Sequence, residues 1–201
     1  MRWLRRRIAE PPLLASIPAA AMLASAMNEV EAAPSTFARL FVGLWPDDVV
    51  RDALLAQAEH WSWPAGVRRV PRDKLHMTLH FLGAVPRARV ASLVQGLAVS
   101  FESFELTLDL AEVWSNEVAV LRPSVVPTAL SDLHHRLRMA LQALEQHSAR
   151  ERLVPHVTLA RQARGAMPPP QGLHLRWPVG GYVLIESQPP PRSYRVLYEY
   201  P

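Results

Sequence analysis

The chain has 201 residues, 49% hydrophobic and 20% charged, the balance of an ordinary soluble protein with room for one sizeable domain or two small lobes. It contains no cysteine, which excludes disulfides, thiolate zinc sites and a cysteine nucleophile and suits a reducing cytoplasm. A net charge of +4 favours polyanionic partners, and every basic residue except Lys74 is an arginine, a side chain able to grip phosphate bidentately.

Residues 1–36 read as separate from the rest. Arg2, Arg5, Arg6 and Arg7 precede an Ala/Leu/Pro stretch that ends Ala24-Ser25-Ala26, an arrangement similar to a secretory signal. Pro11, Pro12 and Pro18 interrupt the apolar segment, which is too short to span a membrane. A start placed too far upstream of Met22 or Met27, or a disordered arm, fits better. No packed structure is expected there, and residues 37–201 form the expected folded domain.

That domain opens with a strand over 39–45. Pro46-Asp47-Asp48 begins a helix whose Val50, Ala53, Leu54 and Ala58 form an apolar stripe. A short strand at 67–70 leads into a strand carrying Lys74-Leu75-His76-Met77-Thr78-Leu79-His80-Phe81-Leu82 and stopping at Gly83. Val90, Leu93, Val94 and Leu97 predict a helix over 86–100. Residues 104–110 alternate as a half-buried strand, with 118–121 as its hairpin partner. Leu130, Leu133, Leu137, Leu141 and Leu144 mark the longest helix. A second strand, Pro155-His156-Val157-Thr158-Leu159-Ala160-Arg161, follows. After it come a Pro/Gly-rich loop from Gly165 to Gly172 and two closing strands at 182–186 and 194–199. The order predicts an α+β fold of two lobes related by a pseudo-twofold, each giving one motif strand to a shared groove.

His-x-Thr-Leu occurs in both motif strands, eighty positions apart. Successive strand side chains point to opposite faces, so His76 and Thr78 share one face, as do His156 and Thr158, while the apolar residues face a core. Histidine exchanges a proton near neutrality, and two histidines flanking a phosphorus can serve as acid and base without a metal. The threonine hydroxyls can donate to the non-bridging oxygens. The His76/His80 spacing also invites a zinc reading, but a strand context, no glutamate after His76 and no third ligand oppose it. His80 is expected at the groove edge or in solvent, and His134-His135 on a solvated helix face. By strand parity Arg161 points away from the groove unless a twist or bulge turns it. Phe41, Tyr194 and Trp177 are candidate base-stacking rings, with the core as their alternative place.

These motifs, with Arg39-Leu40-Phe41-Val42-Gly43-Leu44-Trp45-Pro46 and Arg192-Ser193-Tyr194-Arg195-Val196-Leu197, resemble the two-histidine (2H) phosphoesterase superfamily. Within it they are similar to the RNA 2′,3′-cyclic phosphodiesterases, also called 2′-5′ RNA ligases. The resemblance covers about residues 39–200. It implies a bilobal fold with two antiparallel sheets lining a central cleft, helices outside, and no cofactor. It also implies opening of RNA 2′,3′-cyclic phosphate ends, tRNA halves among them, to 2′-phosphates by a cytoplasmic monomer, with reversible 2′-5′ joining. His76 would be the proton donor and His156 the acceptor, with Thr78, Thr158, Arg161, Phe41 and Tyr194 binding substrate. Two other readings remain open: a phosphodiesterase acting on a small cyclic phosphate, and an RNA-end-binding module without catalysis.

Overall fold

A computed structural model of the chain describes residues 35–148, 152–170, 174–188 and 193–201. The expectations for residues 1–34, for Arg192 and for part of the Pro/Gly-rich loop lie outside them. Thr36–Pro201 forms a single unit.

The first strand, β1 (Phe37–Leu44), buries Ala38, Leu40, Val42 and Leu44 on one face and Phe41 on the other. Helix α1 (Asp48–Glu59) starts where Asp47 accepts a hydrogen bond from the Val50 amide at 2.8 Å, a side-chain N-cap for one of the helix's unpaired donors. It buries Val50, Leu54 and Ala58. Two-residue β2 (Arg68–Arg69) and a single 3₁₀ turn (Arg72–Lys74) lead into β3 (Met77–Pro86). The helix expected over 86–100 is shorter: a 3₁₀ turn at Arg87–Arg89 and then α2 (Val90–Gly96).

The stretch over 104–110 departs from expectation. It is two strands, β4 (Phe104–Leu108) and β5 (Leu110–Val113), and it is β5 that pairs with β6 (Ala119–Arg122). Asp109 makes the break, because its carboxylate accepts from the Ser124 amide (2.6 Å) and from the Ser124 hydroxyl. Strand β4 pairs instead with β8 (Leu175–Val179), a strand absent from the expected elements. Leu175, Trp177 and Val179 do alternate as buried residues, but Pro178 and the adjoining Pro/Gly run hide a strand that lies at an edge.

Helix α3 (Thr128–Ala143) buries Leu130, Leu133, Leu137 and Leu141 along the expected stripe. Strands β7 (Val157–Arg161), β9 (Tyr182–Ser187) and β10 (Tyr194–Tyr200) complete the fold. The main sheet runs β10-β9-β1-β3-β7-β6-β5, with β2 added on β7, and every pairing is antiparallel. Its halves, β10-β9-β1-β3 and β7-β6-β5, meet at one rung, Met77 opposite Val157. Those are the x residues of the two His-x-Thr motifs. A pseudo-twofold therefore passes between the motifs, and both Met77 and Val157 are fully buried in the core common to the two lobes.

On the other face of the first lobe a smaller apolar cluster of Phe41, Val183 and Ile185 gathers Trp45, Phe81, Tyr194 and Val196. This face of the lobe is thus aromatic. Gly43 makes that face possible: a Cβ there would lie 2.7 Å from the Met77 carbonyl oxygen, so only glycine lets β1 approach the motif strand this closely.

Candidate active site

The two histidines sit in matching backbone settings. His76 follows the 3₁₀ turn and the buried Leu75, and its Nδ1 lies 2.7 Å from the Lys74 carbonyl oxygen. His156 repeats this with the Val154 carbonyl, also at 2.7 Å. A carbonyl only accepts, so each Nδ1 carries the proton and a neutral ring leaves Nε2 as an acceptor. The Nε2 of His76 takes a hydrogen bond from the Thr78 hydroxyl at 3.1 Å.

Each ring is backed by aromatics. Phe41 lies 4.9 Å from the His76 ring, Tyr194 meets it edge-on at 5.3 Å, and Trp45 is 6.1 Å away. His156 packs against Trp114 at 4.5 Å, and the indole N–H of Trp114 donates to Glu112 at 3.3 Å. Burial pushes the His76 pKa down to about 4, against the pull of the Lys74 carbonyl, and the charges of His156 and Arg161 add to the depression. His76 is therefore neutral at neutral pH in the ligand-free protein.

Strand parity breaks at the same place in both motifs. Across β1–β3, Val42 faces His80 and Gly43 faces Thr78, so Leu79 is an extra residue. Across β6–β7, Ala119 faces Ala160 and Val120 faces Thr158, so Leu159 is extra. A bulge of this kind re-phases the side chains that follow it, in β3 as far as a second slip at Leu82. His80 joins Leu79 in the interior and Ala160 joins Leu159, while Phe81 and Arg161 emerge on the threonine side.

This corrects the placement of His80 at the groove edge. It is buried, stacked on His134 at 4.1 Å, with Nε2 donating to the His134 carbonyl (3.0 Å) and Nδ1 accepting from the Ser148 hydroxyl (3.2 Å). His134 is buried as well and does not lie on a solvated face; His135 alone is exposed. With His76 among the aromatic rings of Phe41 and Tyr194 and His80 in the core against His134, the two rings face different surroundings and do not converge on a shared metal. Among the described residues no three of His, Asp or Glu converge. Trp177 is core, 2% exposed, and stacks nothing in the groove.

Of the residues expected to line the site, the fold thus brings His76, Thr78, Phe41 and Tyr194 into contact. It sets His156 and Arg161 within electrostatic reach of His76 and leaves Thr158 half-buried opposite Val120. Trp45, Phe81 and Trp114 join them without having been expected. Trp114 follows β5 just before the Ser115-Asn116-Glu117 turn, a ring at a hairpin tip, and that is its only signal in the sequence.

A sequence profile described as the 2′-5′ RNA ligase superfamily matches residues 50–178. The chain belongs to that superfamily. It is 32% identical over 154 residues to the RNA 2′,3′-cyclic phosphodiesterase of Escherichia coli (strain K12), covering 74% of this chain and 86% of that one. It is 30% identical over 179 residues to the protein of the same name from Thermus thermophilus, covering 81% and 89%. The crystal structure of E. coli LigT in apo form superposes with a TM-score of 0.73 at 30% identity, over 83% of this chain and 98% of LigT. The α+β architecture with antiparallel sheets therefore matches that of solved structures to which the chain is similar.

Proposed function

We propose that this protein hydrolyses 2′,3′-cyclic phosphate ends of RNA to 2′-phosphates, and that residues 37–201 suffice for the chemistry. The relatives named RNA 2′,3′-cyclic phosphodiesterase support the reaction class. The observation that carries it onto this chain is the matched pair of histidines, each with Nδ1 tied to the carbonyl two residues back, in strands joined at Met77 and Val157.

In this scheme water attacks the phosphorus as the Nε2 of His156 takes its proton. The P–O3′ bond breaks, and the Nε2 of His76 delivers a proton to O3′, leaving a 2′-phosphate and a free 3′ hydroxyl. His76 acquires that proton when the anionic ester arrives and offsets the cost of charging a buried ring. Thr78 and Thr158 donate to the non-bridging oxygens as charge builds on them. Phe41 and Tyr194 flank the terminal base, and Arg161 supplies positive charge. With the 5′ hydroxyl of a second RNA in place of water, the same attack on phosphorus and the same P–O3′ cleavage join the two ends through a 2′-5′ linkage, and the reverse of that step restores the cyclic phosphate and the 5′ hydroxyl. The protein acts as a monomer, with tRNA halves among its substrates.

The test is a short RNA ending in a 2′,3′-cyclic phosphate, incubated in EDTA with wild type, His76→Ala and His156→Ala. Opening by wild type alone is the expected result. Opening by a histidine variant at the wild-type rate, or none by a folded wild type, refutes the scheme.

A further inference from the structure

Strand β2 brings an unexplained charge to the site. Arg68 lies directly opposite Arg161 in the antiparallel β2–β7 pair, so the two side chains leave the same face of the sheet. Both residues are exposed. Like charges placed directly opposite repel unless something neutralises them.

Seven of the fifteen described arginines pair with carboxylates. Arg72 pairs with Asp48 and Asp52, Arg87 and Arg195 with Glu186, and Arg122 with Glu112. Arg69, next to Arg68 but on the opposite face, pairs with Glu59 and lies over the Trp63 ring. Among the described residues Arg68 and Arg161 have no ion-pair partner of this kind.

The bulge at Leu159 gives Arg161 the side of β7 that carries Thr158, and its charge is felt at His76. Arg68 stands on the adjoining strand, along the same edge of β7 that meets β3. The counter-charge suited to this pair is an anion next to the reacting phosphate but displaced from it toward β2. In an RNA, that anion is the phosphodiester on the 5′ side of the terminal nucleotide.

We propose that Arg68 and Arg161 together hold this second phosphate and so set a preference for RNA chains over cyclic mononucleotides. The inference rests on the cyclic-phosphodiesterase reading above and specifies its substrate.

The experiment compares kcat/KM for a nucleoside 2′,3′-cyclic phosphate without a 5′ phosphate and for the dinucleotide with the same 3′-terminal cyclic phosphate. Full-length wild type, Arg68→Gln and Arg68→Lys are used. Wild type should favour the dinucleotide by about tenfold or more, as expected of a charge-assisted phosphate contact. Arg68→Gln should bring the ratio to about threefold or less, and Arg68→Lys should keep most of it, since a point charge retains part of the grip. The wild-type ratio should also shrink as salt is raised from about 50 to about 200 mM. Wild type that opens neither compound overturns the cyclic-phosphodiesterase reading and this inference with it. Wild type that opens both equally well overturns this inference alone. So does an Arg68→Gln protein that loses activity equally on both, because Arg68 then serves the reacting phosphate. Should Arg68→Gln prove unstable, a wild-type ratio that does not change with salt overturns the inference by itself.

Discussion

Leu79 and Leu159, the fourth residues of the two His-x-Thr-Leu motifs, are both extra residues against their neighbouring strands. The pseudo-twofold therefore extends past the histidines and threonines to the irregularity behind them. What emerges beyond each bulge differs: Phe81 in one lobe, Arg161 in the other. Phe81 joins the aromatic cluster with Phe41, Trp45 and Tyr194 and lies beneath the Arg39 guanidinium at 5.0 Å. The first lobe thus presents a ring past its bulge and the second a guanidinium.

The threonines should act in the transition state more than in binding. Thr78→Val and Thr158→Val should each lower kcat by about 10²-fold with a smaller change in KM, and the serine variants should retain most activity. Steady-state kinetics on a cyclic-phosphate RNA decides this. A KM effect alone would make the hydroxyls ordinary binding groups.

Because burial holds the His76 pKa at about 4, ligand binding should be coupled to protonation. Titration calorimetry of sulfate, a tetrahedral anion that does not itself titrate near pH 7, in buffers of different ionisation enthalpy, should show uptake of up to about one proton per site. Affinity should fall as pH rises, and His76→Ala should abolish the uptake. Tight binding with no proton uptake by wild type would move the acid role to His156.

The stacked His80 and His134 should make the fold sensitive to acid. Burial lowers both pKa values, that of His134 to about 4, and the Nε2 of His134 has no hydrogen-bond partner among the described residues. The folded pKa lies below the unfolded value near 6.5, so between them the unfolded chain binds more protons. The stabilisation is complete above about pH 6.5 and is lost as pH falls toward about 4. Denaturant melts at pH 7.5 and pH 5 should differ by about 1–3 kcal/mol. His134→Phe, which keeps a ring against His80, should narrow that difference. An unchanged difference would assign the acid sensitivity to other groups, His76 first among them.

Gly43→Ala should damage stability and catalysis together. The added Cβ meets a backbone carbonyl, Met77 O, at 2.7 Å, and no side-chain rotation relieves the clash. A loss of about 1–3 kcal/mol is expected, with a fall in kcat as the His76–Thr78 segment shifts. Thermal melts and kcat of the one variant test both, and full activity would show that β3 tolerates the displacement.

Much of this protein is legible in its amino-acid sequence. The paired motifs mark the chemistry, the i, i+3, i+4 leucines mark α3, and period-two alternation separates Met77 and Val157 from the histidine and threonine face. These are local signals, written within a turn of helix or a few residues of strand. Tertiary structure decides the rest, since each remaining feature depends on a partner distant in sequence. Whether 104–110 is one strand or two is settled by the grip of Asp109 on Ser124, and the partner of β4 by Trp177 and its neighbours some seventy residues on. The burial of His80 and the emergence of Arg161 on the Thr158 side of β7 both follow from bulges that exist only against β1 and β6. Alternation states which residues share a face until the ladder slips, and where the ladder slips is fixed by the neighbouring strand.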